Sequence, residues 1–299
     1  MSRRVAFLLG RGIAHSLSPA MHNAALADRG LDADYQLLDV TPRRLAAAVA
    51  RLRRLDCLGA NVTMPYKRMV VAHADGVSEA VRRCGAGNLL VSRDGRLQLD
   101  NTDVVAIRAA LDRRARHLGR GPVAVLGSGG AAAGVLEALG ELATPEVLLL
   151  ARRPAAAAAL ARRFRDRLGG RITVLSIDAG AARVAECSVL VNATPIGMAP
   201  GDPSPISYDL LHPDLLVYDL VYRPGGPTAL HQRAAERGCG VTCGLSHLLA
   251  QAGPSFELLT GLAAPWEVMR SALATAAGRQ PVGWGADPAP SGAGSAHLD

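Results

Sequence analysis

The sequence predicts an α/β protein of two domains, the second a doubly wound sheet. Three observations carry this. Short apolar runs alternate with longer helical ones along most of the 299 residues. A hairpin pattern closes the first series near residue 101. A second series then restarts with a strand, a glycine turn and a small-residue helix. The length accommodates two cores, and 49% hydrophobic content is enough to fill them.

In order, VAFLLG reads as a strand. SPAMHNAALADRG reads as a helix with Ser18 as its N-cap, Pro19 at the first helical position and Gly30 as its stop. YQLLDV is a second strand, TPRRLAAAVARLRR a second helix and LGANVT a third strand. Strands separated by helices imply a largely parallel sheet. NLLVSRDGRLQLD is a hairpin turning at Asp94-Gly95, and it ends the first domain, 1–101. A helix is expected from Thr102 to about His117, followed by the break LGRGP and by PVAVLGSGGAAAGVLEALGEL. Further strands at EVLLLA, RITVLS, SVLVNA and LLVYDLVY, with helices between several of them, complete a domain over 102–240. Helical segments at 245–260 and 265–277 are long enough to pack back on the first unit, so 241–277 is assigned to it. The tail 278–299 is rich in Gly, Pro, Ala and Ser and is expected to be disordered.

The formal charge is +7 and the pI about 9.6, but the arginines are scattered over helix faces and aromatic residues make up 3%. A basic arm and base-stacking residues are both lacking, which argues for a solvated surface over a nucleic-acid partner. Five cysteines without a CxxC pair indicate neither a disulfide framework nor a metal site, and fit a reducing cytoplasm. The amino-terminal apolar run is about six residues, short of a signal sequence. No run approaches the roughly 18 residues of a membrane span.

In GSGGAA, Gly127 and Gly129 take the first two glycine places of the dinucleotide fingerprint and Ala132 the third. Together with Ser128, Gly130 and Ala131 they place backbone amides at a helix N-terminus, where an anionic pyrophosphate is favoured. The strand before and the helix after this turn give it the required context, that of a Rossmann-type domain. Arg152 and Arg153 follow the next strand, where an acidic residue would indicate NAD; two guanidiniums and no carboxylate indicate NADP.

Lys67, in NVTMPYK, is the only lysine among 33 basic residues. Arginine stays charged, whereas lysine can be tuned to release a proton, so Lys67 is a candidate acid/base. A nicotinamide enzyme acting on an alcohol needs one, because the hydroxyl proton must leave with the hydride. Asp103, in DNTD, is the second ionisable candidate, and these residues alone leave open which of the two holds the proton.

Eight motifs now stand in order: HSLSPAMHN at 15–23, NVTMPYK at 61–67, GAGN at 85–88, DNTD at 100–103, GSGGAA at 127–132, NATPIGM at 192–198, YDLVYRPGGPTAL at 218–230 and GLSHLLAQA at 244–252. In this order the chain resembles the shikimate dehydrogenase family over about residues 5–275. The resemblance implies an N-terminal substrate domain, a Rossmann-type NADP-binding domain, and interconversion of a cyclic hydroxy acid with its 3-keto counterpart. It implies Lys67 and Asp103 as the catalytic pair. Ser16 and Ser18 would hold the substrate carboxylate, and Asn61, Thr63, Asn88 and Gln251 the ring hydroxyls. Tyr222 would lie in the substrate region, with Thr194 and Gly244 near the nicotinamide. His15 and His22 fit structural hydrogen-bonding. Four positions depart from the family pattern: Leu89 for Thr, Ala106 for Gly, Ala151 for Asn and His247 for Met. Leu89 and His247 are placed beside the reacting ring, which leaves quinate or an amino analogue open as substrate. A non-catalytic ligand sensor on the same fold is the alternative of another class. Homodimer and monomer both stay open.

Overall fold

The computed structural model describes residues 3–281 apart from 115, 116, 143, 145 and 200. The tail expected to be disordered therefore lies, from residue 282 onward, outside the described residues.

The first sheet is built from β1 (Arg4–Gly10), β2 (Ala33–Asp39), β3 (Cys57–Val62), β4 (Gly76–Val77), β5 (Leu89–Arg93) and β6 (Arg96–Asp100), in the order β2-β1-β3-β5-β6-β4. Helices α1 (Ser18–Asp28), α2 (Leu45–Arg51) and the short α3 (Glu79–Cys84) connect them. The sheet is more mixed than the sequence predicts. β1 runs parallel to β2 and β3, but β5 is antiparallel to both β3 and β6. The β5–β6 pairing follows from the two-residue hairpin, in which Asp94 and Gly95 take φ of 50° and 76°. That is the primed turn matching strand twist, and a two-residue loop permits only antiparallel pairing.

Ser18 does not cap α1. Leu17 occupies the capping position without a side-chain bond, and the Ser18 N–H itself donates to Ser16 Oγ at 3.3 Å. The sequence offers two serines two residues apart, and the earlier one meets the orphan N–H of the first turn.

α4 (Thr102–Asp112) leads from the first sheet to the second. It ends short of the expected His117, whose Nδ1 lies 3.3 Å from the Asp214 carbonyl and so ties that stretch to the second sheet. The second sheet comprises β7 (Val123–Leu126), β8 (Val147–Ala151), β9 (Ile172–Ser176), β10 (Val189–Asn192), β11 (Leu216–Asp219) and β12 (Gly240–Thr242), in the order β12-β11-β10-β7-β8-β9. Every neighbouring pair is parallel. Helices α5 (Gly130–Glu141), α6 (Pro154–Arg162), α7 (Ile177–Gly180) and α8 (Ala229–Glu236) lie between these strands. This is the doubly wound order, with its switch point between β7 and β10, where such sheets bind ligands. β12 keeps residues 241 and 242 with this sheet.

α9 (Gly244–Thr260) and α10 (Trp266–Ala277) return to the first sheet. Leu245, Leu249, Phe256, Met269 and Leu273 share a buried cluster with Ala6, Leu8, Leu58 and Leu89. On the second side, small residues let α4 and α5 approach closely: a Cβ at Gly134 would stand 3.8 Å from that of Asp103. The consequence is positional, since α4, α5 and α9 converge on one cleft. Among the described residues no helix is long and apolar enough to cross a membrane.

Candidate active site

Lys67 lies on the loop after β3, beyond a cis Met64–Pro65 bond, and Asp103 lies in the first turn of α4. Lys67 Nζ is 2.5 Å from Asp103 Oδ2. The other oxygen, Oδ1, accepts from Asn88 Nδ2 at 3.0 Å and from His247 Nε2 at 3.2 Å. Burial pushes the Asp103 carboxyl up, but the Lys67 charge and the His247 hydrogen bond more than reverse this and hold it well below the usual carboxylate range. Asp103 is therefore an acceptor only, and it fixes the lysine amine from one side.

Around this pair lies a polar shell contributed by distant parts of the chain. Asn88 accepts the Thr102 N–H at 2.7 Å and donates to Gln251 Oε1 at 3.4 Å. Asn61 donates to Ser255 Oγ at 2.9 Å and accepts from the Tyr35 hydroxyl at 2.9 Å. Tyr222 is bonded to Ser16 and receives the Leu17 N–H at 3.4 Å; burial raises its phenol, and the Ser16 bond opposes that. Hydroxyls and amides held in this way can meet a polyol without adding charge.

Beyond the pair, the cleft reaches the start of α5. Gly127 takes φ of +115°, and its N–H is bonded to the Leu150 carbonyl, which turns the chain sharply out of β7. Gly129 caps α5 with no side chain, so the first N–H groups of the helix face the cavity unpaired. Arg152 and Arg153 stand exposed at the end of β8, and neither forms an ion pair among the described residues. An anion-binding helix start beside two free guanidiniums fits a phosphorylated dinucleotide. Thr194 is held by its own loop: its N–H and hydroxyl both donate to Asn192 Oδ1, and Asn192 donates to Asp219 Oδ1 at 3.0 Å. Gly244 must lack a side chain, because a Cβ there would lie 2.4 Å from the Val221 backbone.

One cavity of about 610 Å³ is lined by all of these: Lys67 and Asp103; Ser16, Ser18, Asn61, Thr63, Asn88, Tyr222 and Gln251; and Gly127, Ser128, Gly129, Gly130, Ala131, Arg152, Arg153, Thr194 and Gly244. These candidate residues thus share one space, whereas Ala132, the third fingerprint place, is fully buried and does not line it. Residues not singled out also line it, among them Met64, Pro195, Ile196 and Met198, which form apolar walls and stand unremarked inside the quoted motifs. His15 is exposed at its edge. His22 is buried and stacked on Tyr35 with ring centroids 4.2 Å apart; burial lowers it to about 3, and its Nε2 has no partner. Nε2 thus forms no structural hydrogen bond among the described residues.

Of the two departures placed beside the reacting ring, Leu89 does not lie there. Leu89 is fully buried beneath α9 in the apolar core, and Ala106 is buried on α4; neither lines the cavity. Leu89 therefore takes no hydroxyl from the polar shell. Strand alternation turns it toward α9 while Asn88, one residue earlier, meets the cleft. Ala151 and His247 do line the cavity.

A cleft that joins a dinucleotide cradle to a lysine–carboxylate pair belongs to a nicotinamide-dependent oxidoreductase. The family profile described as the shikimate dehydrogenase substrate binding domain matches residues 8–90. Over 268 residues the chain is 42% identical to the shikimate dehydrogenase (NADP(+)) of Rubrobacter xylanophilus, covering 89% of this chain and 94% of that one. Among solved structures, the shikimate 5-dehydrogenase of Thermus thermophilus in complex with NADP(H) and shikimate superposes with a TM-score of 0.78 at 35% identity, covering 91% of this chain and 99% of that one. The quinate dehydrogenase of Corynebacterium glutamicum in complex with NAD reaches a TM-score of 0.81 at 27% identity, with coverage of 91% and 99%. The chain belongs to the shikimate dehydrogenase family.

Proposed function

We propose that this protein is an NADP-dependent shikimate dehydrogenase that interconverts 3-dehydroshikimate and shikimate on the route to chorismate and the aromatic amino acids. The observation that carries this reading is the 2.5 Å contact of Lys67 Nζ with Asp103 Oδ2 at the meeting point of the polar shell and the dinucleotide cradle. NADPH supplies the hydride. Lys67 Nζ gives a proton to the 3-keto oxygen as the alcohol forms and takes it back in the reverse direction. Asp103 stays ionised and keeps Nζ in place. Ser16 and Ser18 receive the substrate carboxylate; Asn61, Thr63, Asn88, Gln251 and Tyr222 orient the ring. Gly127 to Ala131 hold the pyrophosphate, Arg152 and Arg153 the 2′-phosphate, and Thr194 and Gly244 border the nicotinamide.

In this reading residues 1–101 with the returning helices to 277 form the substrate domain, and 102–242, carried past the expected 240 by β12, the cofactor domain. The enzyme works in the cytoplasm on a small-molecule substrate, with no nucleic-acid or membrane partner. Purified protein assayed with shikimate, quinate and an amino analogue, each with NADP and NAD, tests the reading. The highest kcat/KM is expected for shikimate with NADP. Superior turnover of quinate or the amino analogue would reassign the substrate, and binding without turnover would favour a sensor.

A further inference from the structure

Asp103 is reached from the second sheet as well as from Lys67. His247, in the first turn of α9, places Nε2 3.2 Å from Asp103 Oδ1, and its Nδ1 lies 2.9 Å from the Tyr218 hydroxyl. Tyr218 stands on β11, is 1% exposed and packs in the core of the second sheet. Its ring meets that of His247 edge-on, with centroids 5.9 Å apart. The direction of each hydrogen follows from chemistry. Oδ1 of an ionised carboxylate can only accept, so Nε2 carries a hydrogen. Nδ1 then offers its lone pair to the Tyr218 O–H, whose proton burial and the nearby Asp103 charge both help retain. A continuous line results: Tyr218 O–H to His247 Nδ1, His247 Nε2–H to Asp103 Oδ1, and Lys67 Nζ to Asp103 Oδ2. Both imidazole nitrogens are engaged within the protein, which leaves His247 no free polar atom for a substrate.

We propose that His247 and Tyr218 are positioning residues that fix the orientation of Asp103, and through it the place of Lys67 Nζ, relative to the strand order of the dinucleotide-binding sheet. The inference rests on the reading that Lys67 transfers the proton. The lever is geometric. Rotation of the Asp103 carboxylate would move Nζ with it, and a hydrogen bond from His247 opposes that rotation from the side opposite Lys67. The other titratable or charged groups acting here are Cys243 at the start of α9 and Arg114 beyond α4, both of which act on Tyr218 electrostatically.

The test compares His247→Met with His247→Gln. Both side chains are unbranched and of similar reach. Gln alone keeps a donor for Asp103 and an acceptor for Tyr218. His247→Met should lower kcat about tenfold, with KM for shikimate and Kd for NADPH within about threefold of the original. The acid limb of the kcat–pH profile should move to higher pH, because Asp103 loses a donor that favours its ionised form. His247→Gln should restore most of both, and Tyr218→Phe, which removes one oxygen, should shift both in the same direction as Met but less. An unchanged kcat and acid limb in His247→Met, or equal impairment in Met and Gln, would overturn the proposal. Nitrogen NMR of the unsubstituted protein gives a readout free of folding and turnover: Nε2 should be protonated and Nδ1 not, and the reverse tautomer would also overturn it. Normal turnover by Lys67→Arg would instead sink the underlying proton-transfer reading, whatever the imidazole tautomer.

Discussion

Lys67 Nζ and Asp103 Oδ2 lie 2.5 Å apart although 36 residues separate them in the chain, and the carboxylate is the more deeply buried partner. The ion pair gives Lys67 a fixed amine beside a shell of neutral amides and hydroxyls, apart from the arginines Arg152 and Arg153 at the far end of the cavity. Lys67→Arg should keep the charge and the pairing but lose about 10²–10⁴ in kcat, because a guanidinium does not give up its proton. Steady-state kinetics beside a thermal melt separate this from misfolding. Near-normal turnover would make Lys67 a positioning cation.

In the proposed reading cofactor choice rests on Arg152 and Arg153. Charge-assisted bonds from arginine to a 2′-phosphate are each worth roughly 1.5–3 kcal/mol. NADP is therefore expected over NAD by more than tenfold in kcat/KM, and Arg152→Ala should remove most of that margin while leaving NAD-dependent turnover within about threefold. Equal use of both cofactors by the unsubstituted protein would contradict the assignment.

Substrate preference should be indifferent to His247. Its two nitrogens bond Asp103 and Tyr218, and Leu89 lies in the core, so neither departure alters what the ring hydroxyls meet. The shikimate-to-quinate ratio of kcat/KM should change less than about threefold in His247→Met even as both values fall. A reversal of preference would show that the imidazole faces the substrate.

Ser255 offers a test of the layer behind the site. Fully buried on α9, it accepts from Asn61 Nδ2 at 2.9 Å and lies 2.9 Å from Thr102 Oγ1. Ser255→Ala leaves both groups short of a partner, which costs about 1–3 kcal/mol in a buried setting. Lower denaturant stability with a several-fold higher KM for shikimate is expected. An unchanged KM would mean that Asn61 is held by Tyr35 alone.

The pH dependence of stability has a second source in Asp219. Burial pushes its carboxyl up to about 6 despite hydrogen bonds from Thr228, Val221 and Asn192. The folded state thus binds this proton more tightly than the unfolded chain does. The group destabilises the fold above pH 6, and stability is regained as pH falls from about 6 to 4, by on the order of 2–3 kcal/mol. Asp103 acts oppositely and in a lower window: its contribution is complete above its ordinary range near 4 and is lost only below it. Urea titrations of the original protein and Asp219→Asn between pH 7 and 4 should converge as the pH falls, and parallel curves would exclude the assignment.

What can be read from the chain follows from how local each signal is. The glycine turn at 127–130, the hairpin at Asp94-Gly95 and the returning helices are written in adjacent residues, and each appears where expected. That the candidate residues share one cavity is legible because the motifs keep residue type and order together. The hairpin foretells β5 antiparallel to β6, but pairing between strands distant in the chain is not local, so the antiparallel pairing of β5 with β3 is not foreseen, nor is β12, which is three residues long. The sequence does not show which way a side chain turns either. Its neighbour Asn88 suggests the pocket for Leu89, and the strand's alternation sends it to the core. The links from Asn88 to Gln251 and from His247 to Asp103 span 163 and 144 residues, beyond the reach of any spacing rule.

Gly130 stands so close to Lys67 that a Cβ there would lie 2.7 Å from the lysine's own. The first residue of α5 and the loop that carries Lys67 therefore share a wall one methyl group too thin for another amino acid, and this divides the protein's capacity to diverge. In the proposed reading, exchange of the exposed Arg152 and Arg153 would alter only which nucleotide is welcome. If Gly130 cradles the nucleotide and Lys67 delivers the proton, as proposed, any side chain at position 130 would have to disturb both at once.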